Sequence, residues 1–221
     1  MAHTTLKALV DKAAARVIDT DFIRWDEQFW VDSIQDAIKA ILVIRPDAYV
    51  EMTNFSCDEG TEQGLPDDVN LLMNVLMNIG GKAVRGPHDM LMLDNYRPDW
   101  RTEPLKDAVD TYFYDERNPQ VFHVYPPVNV GTELRLVVSV TPPAPTITDY
   151  NGGQSSQLSP LFDNPIVEYM VYLAFSQDNE FTANASKAQL SLNAFNSLLG
   201  NKNASDAQYS TINQLNQNKP R

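Results

Sequence analysis

The residues in this chain that could do chemistry are three histidines, one cysteine, a glycine–lysine pair and several runs of acids. His3, His88 and His123 stand far apart and share no ligand spacing, so a metal centre built on them has no local basis. His123 lies inside the strand-like run VFHVY, where a satisfied surface or core histidine is the expected state. Cys57 has no CxxC partner and reads as a small buried hydrophobe. Gly81-Lys82 has the look of a phosphate loop. That motif needs a further glycine where Leu76 stands, and Ala83 takes the place of the Ser/Thr that would hold magnesium. No GxSxG, HExxH or EF-hand pattern occurs. Carboxylates cluster at Asp19, Asp21, Asp26 and Glu27, at Asp58, Glu59 and Glu62, and at Asp67 and Asp68. Two would suffice for a glycosidase, but in so acidic a chain such pairs arise by chance. Trp25, Trp30 and Trp100 read as core or interface anchors. The expectation is no catalytic residue, no cofactor and no metal.

The chain has 221 residues, with 17 basic against 29 acidic side chains and a net charge of −12. That length can bury a core without staples, and 43% hydrophobic with 21% charged residues is a globular composition. A surface this acidic repels phosphate backbones, which argues against sequence-independent nucleic-acid binding. A single cysteine leaves no intrachain disulfide and suits a reducing compartment. Lys7, Asp11 and Lys12 interrupt the apolar positions near the start, so no secretory signal core is expected. The sequons at Asn54, Asn184 and Asn203 then read as chance. The longest unbroken apolar run, Tyr169 to Phe175, is far below a membrane span.

Hydrophobic spacing predicts helices at both ends and a β-rich middle. Leu6, Leu9, Val10, Ala13, Ala14 and Val17 follow helical period, with Thr4 or Thr5 as cap. A second stripe runs from Phe29 to Leu42 and is stopped by Pro46. Tyr49 to Phe55 reads as a strand, followed by an acidic loop, DEGTEQGLPDD. Val69 to Ile79 carries both periods. Its apolar residues alternate, yet Leu72 and Leu76 break the alternation, while Asn70, Asn74 and Asn78 stand four apart; the reading leans to a buried helix ended by Gly80. A short helix is expected from Pro87. Thr111–Tyr114, Val121–Tyr125 and Glu133–Val140 then read as an antiparallel meander. Residues 142 to 165 are rich in Pro, Gly, Ser and Gln and read as a linker or exposed loop. Helical spacing resumes at Ile166 and again from Phe181 to Leu199, with Gly200 placed to end it.

The fold class expected is α+β. A helical bundle comes from both chain ends (1–45 and 163–200), with an inserted antiparallel β-rich region (46–145), a linker or loop (146–162) and an extended C-terminal tail (201–221). That tail is Asn, Gln and Ser with few apolar anchors and cannot fold alone. Tyr209, Ile212 and Leu215 could anchor it on a partner, and Lys219 and Arg221 could meet an acidic surface.

Five strings carry a family resemblance: RPDAYV, EGTEQGLP, NYRPDW, YFYDERNPQVFHVYPPV and VEYMVYLAFSQDNEF. They resemble the adaptor proteins of podoviruses, the head-to-tail connectors that sit beneath the portal, over roughly residues 10 to 210. The string DERNPQVFHVYPP is the most specific. The resemblance implies a structural subunit of a homo-oligomeric ring, expected to be a dodecamer matching the portal's symmetry. It would extend the channel through which DNA passes without specific binding. Its implied partners are the portal protein and the tail nozzle and tail fibre proteins, with no membrane involved. The implied location is the portal vertex of the virion, after assembly in the host cytoplasm. Two other readings stand beside it: an acidic binding module or assembly chaperone that mimics DNA, and a tail-associated hydrolase.

Overall fold

A computed structural model describes residues 3–177 and 182–209. The chain runs α1 (Leu6–Val17), α2 (Glu27–Ile44), β1 (Val50–Ser56), β2 (Gly60–Gly64), β3 (Val69–Asn78), α3 (Met90–Tyr96), β4 (Thr111–Tyr114) and β5 (Val121–Val128). It continues through β6 (Glu133–Val140), α4 (Ile147–Asn151), α5 (Asp163–Gln177) and α6 (Thr182–Tyr209). The class is α+β, in two compact units: Met1–Arg45 with Pro143–Arg221, and Pro46–Pro142.

In the helical unit, α1 starts where the Thr5 side chain accepts from the Ala8 N–H and buries Leu6, Leu9, Val10, Ala13 and Ala14. Asp26 caps α2 by accepting from the Phe29 N–H at 2.8 Å. Its buried stripe includes Trp30, Ile34, Ile38 and Ile41. α5 packs against α1, α2 and α6 together. Surrounded on several sides, it buries Ile166, Val167, Met170, Val171 and Ala174 rather than one narrow stripe.

Residues 146–162, expected as a linker or exposed loop, keep many exposed residues but contain a short helix and buried anchors. The reciprocal Thr146–Asp149 capping box starts α4, and Tyr150, Leu158 and Phe162 are buried. Backbone bonds from Leu6 N to Gln154 O and from Ser156 N to Thr4 O pin the segment beside α1. Gly200 does not end the last helix, because a helix interior tolerates glycine at about 1 kcal/mol. Phe195 and Leu199 are buried, and α6 continues to Tyr209. Residues 201–209, expected as tail, are therefore helical.

The β unit is two three-stranded antiparallel sheets, ordered β1-β6-β3 and β2-β5-β4. Their common core holds Phe55, Val75, Phe122, Val124, Leu134 and Leu136. The expected meander is thus split, since β4 and β5 form a hairpin but β6 joins the other sheet. Pro126 and Pro127 have no N–H to offer a returning strand. The turn at Gly131 (φ +83°) is fastened instead to the end of β1, through Gly131 N to Cys57 O and Cys57 N to Thr132 O. β6 therefore starts as the partner of β1.

Val69–Asn78 is a strand, not a helix. Three register shifts along its ladder with β6 insert extra residues. Every third residue (Val69, Leu72, Val75, Asn78) then points inward. The asparagines follow no helical face. The Asn78 carboxamide bonds Val109 O at 2.8 Å and Val109 N at 2.7 Å, and Asn74 accepts from the Tyr112 hydroxyl. The acidic loop also conceals a strand, β2. Its Gln63 is fully buried, and its amide bonds both Asp58 N and Asp58 O.

Candidate functional site

Three of the five resemblance strings converge on one face of the β unit. EGTEQGLP supplies β2, the longest string supplies β4 and β5, and NYRPDW, which begins in the last turn of α3, brings Trp100 against the outer side of β4 and β5. Alternation puts Tyr112, Phe122 and Val124 in the core, so Phe113, His123 and Tyr125 face outward. Trp100, fully buried, lies against Phe113 at 5.7 Å and Tyr125 at 6.1 Å. Its indole N–H donates to Asp94 at 2.7 Å, and Arg101 donates to the same carboxylate at 2.6 Å while stacking 4.4 Å from the indole. Those bonds, from Arg101 first and Trp100 second, hold the Asp94 carboxyl below its usual range. Arg97 donates to the Tyr125 hydroxyl, which itself donates to Glu103 at 3.2 Å. The 94–103 segment is thereby locked onto the sheet.

Beside this lock α3 stands off the strands. Asp89 starts the helix by accepting from the Leu91 N–H, and Pro98 follows its end. The gap is a cleft of about 330 Å³ lined by Met92, Leu93, Tyr96, Phe113 and Tyr125, with His88 and Asp89 at its edge. It shares His88, Asp89 and Phe113 with a wider groove of about 640 Å³ bordered by Asp115, Glu116 and Arg117. Leu91, Met92 and Tyr96 are 66%, 60% and 82% exposed. The arrangement offers an apolar seat with a border of mixed charge, where Arg117 pairs with Asp115.

Several of the residues singled out for chemistry have structural partners. Asp19 accepts from the backbone N–H groups of Ile23, Arg24 and Trp25, and Asp26 caps α2. His3 bonds Leu158 O at 3.1 Å. His123 stands 3.7 Å from Glu62, yet burial outweighs that exposed carboxylate and lowers the imidazole pKa. Cys57 is buried, and burial with the Asp58 charge pushes its thiol up to about 12. Lys82 pairs with Asp110 at the turn after β3, so it has a partner within the unit. Among the described residues no group of three or more His, Cys, Asp or Glu could hold a metal ion. No helix there is long and apolar enough to cross a membrane.

Of the proposed partner-binding residues, Tyr209 is the last residue of α6. Ile212, Leu215, Lys219 and Arg221 lie outside the described residues. The cleft was not singled out from sequence, because its walls come from segments about twenty residues apart. Of the resemblance strings, NYRPDW contributes Tyr96 to it and the longest string contributes Phe113 and Tyr125. A family model described as SU10 adaptor protein matches residues 4–217. No curated protein matches the chain.

Proposed function

The chain belongs to the SU10 adaptor protein family, and on that premise we propose that it is a subunit of a phage head-to-tail connector ring. The family makes it a structural adaptor of the virion. In the reading proposed here, copies form a closed ring beneath the portal, with twelve subunits to match it. The ring lengthens the DNA channel and carries the tail nozzle and fibres. The match over nearly the whole chain is the observation that carries this reading. The charge of −12 suits a channel wall past which DNA slides without sticking. Lys202 and Arg45 hold Asp206 near the end of α6, so the C-terminal segment starts from a fixed point. From there Tyr209, Ile212, Leu215, Lys219 and Arg221 would engage the portal or a neighbouring subunit. The decisive experiment is electron microscopy of the protein mixed with purified portal. A twelve-fold ring capping the portal is expected, and free portal beside unassembled chain would overturn the reading.

A further inference from the structure

Of the four outer sheet edges in the β unit, β1 alone is long, regular and uncovered among the described residues. The β3 edge carries three register shifts and is bonded by the segment after it, through Val84 N to Leu76 O and Asn78 N to Lys82 O. The β4 edge is bonded by the segment before α3, through Tyr112 N to Arg85 O and His88 N to Tyr112 O. β2 has five residues, two of them glycine, and a register shift of its own. By contrast, β1 pairs with β6 over seven residues without a shift. Cys57 N bonds Thr132 O and Ile79 N bonds Glu133 O, which fixes the alternation along both ladders of β6. Glu51, Thr53 and Phe55 therefore bond β6, while Val50, Met52, Asn54 and Ser56 turn their N–H and C=O groups outward. Among the described residues those outward groups meet one partner, the Thr53 hydroxyl on Asn54 O at 3.3 Å. Met52 is 69% exposed and Val50 44%. Proteins guard such edges with bulges, prolines, lysines or a covering segment, and β1 has none of these. An edge left open in this way is a template for another strand.

We propose that the segment after α6, residues 210–221, of a neighbouring copy adds to β1 as a fourth strand of its sheet. The neighbour comes from the ring reading above, on which this inference rests. Length and composition choose the segment. It has twelve residues beyond Tyr209 and no proline or glycine before Pro220, so it can match all seven residues of β1 with every N–H present. Seven of the twelve are Asn, Gln, Ser or Thr, and only Ile212 and Leu215 are aliphatic. Its affinity must therefore come from hydrogen bonds more than from a buried core. Strand addition supplies such bonds from the main chain, whatever the side chains are. Ile212 and Leu215 stand three apart, which puts them on opposite faces of a strand. One then lies beside Met52 on the outer face, and the other beside Thr53 on the inner face. Charge plays a small part. Glu51, the one charge on β1, is hydrogen-bonded to Tyr49, and Glu133 and Arg135 of β6, opposite Ser56 and Asn54, carry opposite signs. Edge and segment are different parts of the chain, so contacts run head to tail, the type that closes into a ring. Copies tied together in this way also hold the portal jointly.

Amide hydrogen exchange on the full-length chain, with and without portal, tests the contact. On assembly the Met52, Asn54 and Ser56 amides should slow roughly tenfold or more. Gln214→Pro in the added segment should abolish that slowing. Met52→Pro should do so from the other side, and an edge strand accommodates it because the Met52 N–H is outside the β6 ladder. A second measurement needs no proline. Met52→Cys in one full-length chain is mixed and oxidised with Ile212→Cys or Leu215→Cys in another. Cys57 does not compete, since it is buried with its thiol pushed up to about 12. One of the two should link to Met52→Cys and the other should not, as the two faces of a strand require. Equal linking by both, or linking by neither, overturns the strand addition. Rings whose β1 amides exchange as in the free chain overturn it too and leave the ring reading standing. Slowed β1 amides in species that never close keep the strand addition and overturn the ring. Slowing in a monomer puts the segment on its own β1 and overturns the exchange between copies. A monomer with open β1 amides in the presence of portal overturns both.

Discussion

Trp100 joins three kinds of contact at one point of the β unit. Its ring covers Phe113 and Tyr125, its N–H is satisfied by Asp94, and Arg101 closes its outer face. Trp100→Ala should cost about 3–5 kcal/mol in urea unfolding, since it opens a cavity and strands the groups around it. An unchanged midpoint would mean that the 94–103 segment is an ornament on the sheet. Two positions along β5 from Tyr125, His123 links stability to pH. Burial lowers its pKa below the ordinary 6.5, while Glu62, 74% exposed and 3.7 Å away, is too well screened to reverse the shift. The unfolded chain therefore takes up this proton first as pH falls. The stabilisation is complete above about pH 6.5 and lost as pH drops through the folded value. Comparing midpoints at pH 7.5 and 5 for the parent and His123→Gln checks this. The parent should lose more on acidification, and equal losses would assign the effect to the carboxylates.

At the scale of elements, one glycine decides how closely the segment before α3 can approach β4. Gly86 has φ +143°, and a Cβ there would meet the Tyr112 carbonyl at 2.6 Å and its ring at 2.7 Å. Tyr112 is fully buried and cannot retreat. Gly86→Ala should therefore destabilise the protein by about 1–3 kcal/mol, read as a lower thermal midpoint. A neutral result would show that the 85–88 segment moves independently of the sheet. Other elements differ in how much of them the residues announce. α1 was legible with its Thr cap, and α2 by its stripe alone, because a single 3.6-residue stripe is a local signal; Asp26 as the cap of α2 was not read. β3 was not legible, because its register shifts turn the period of two into three, which no simple template matches. β2 was hidden for another reason. Glycine and acidic residues favour turns, and only pairing with β5 and the burial of Gln63 make GTEQG a strand. Assigning β6 to the wrong neighbour has the same root, since adjacency in sequence stood in for bonds to Cys57 that only the fold creates. The cleft beside α3 was illegible likewise, because it is a product of long-range packing.

For the molecule as a whole, Arg45 marks where the body ends. It is nearly buried at the end of α2 and donates to Asn203 at 2.6 Å and to Asp206 at 2.7 Å. The helix through residue 209 thus belongs to the helical unit, and whatever tail the chain extends toward a partner starts after it. Truncation separates the two roles. Removing 201–221 takes away two partners of Arg45 and should lower stability by about 1 kcal/mol, a charged hydrogen bond discounted for the exposure of Asp206. Removing only 210–221 should leave the unfolding curve where it was. The shorter cut should still weaken attachment to the portal. Ile212 and Leu215 would be its apolar anchors, and Lys219 and Arg221 the only charges in a segment that carries no acid, on a chain of net charge −12. The measurement is retention on immobilised portal, for parent and for the shorter truncation, at low and high salt. The parent should be retained more strongly, with an advantage that shrinks as salt screens Lys219 and Arg221. Equal retention at both salt concentrations would show that the last twelve residues contribute nothing to docking.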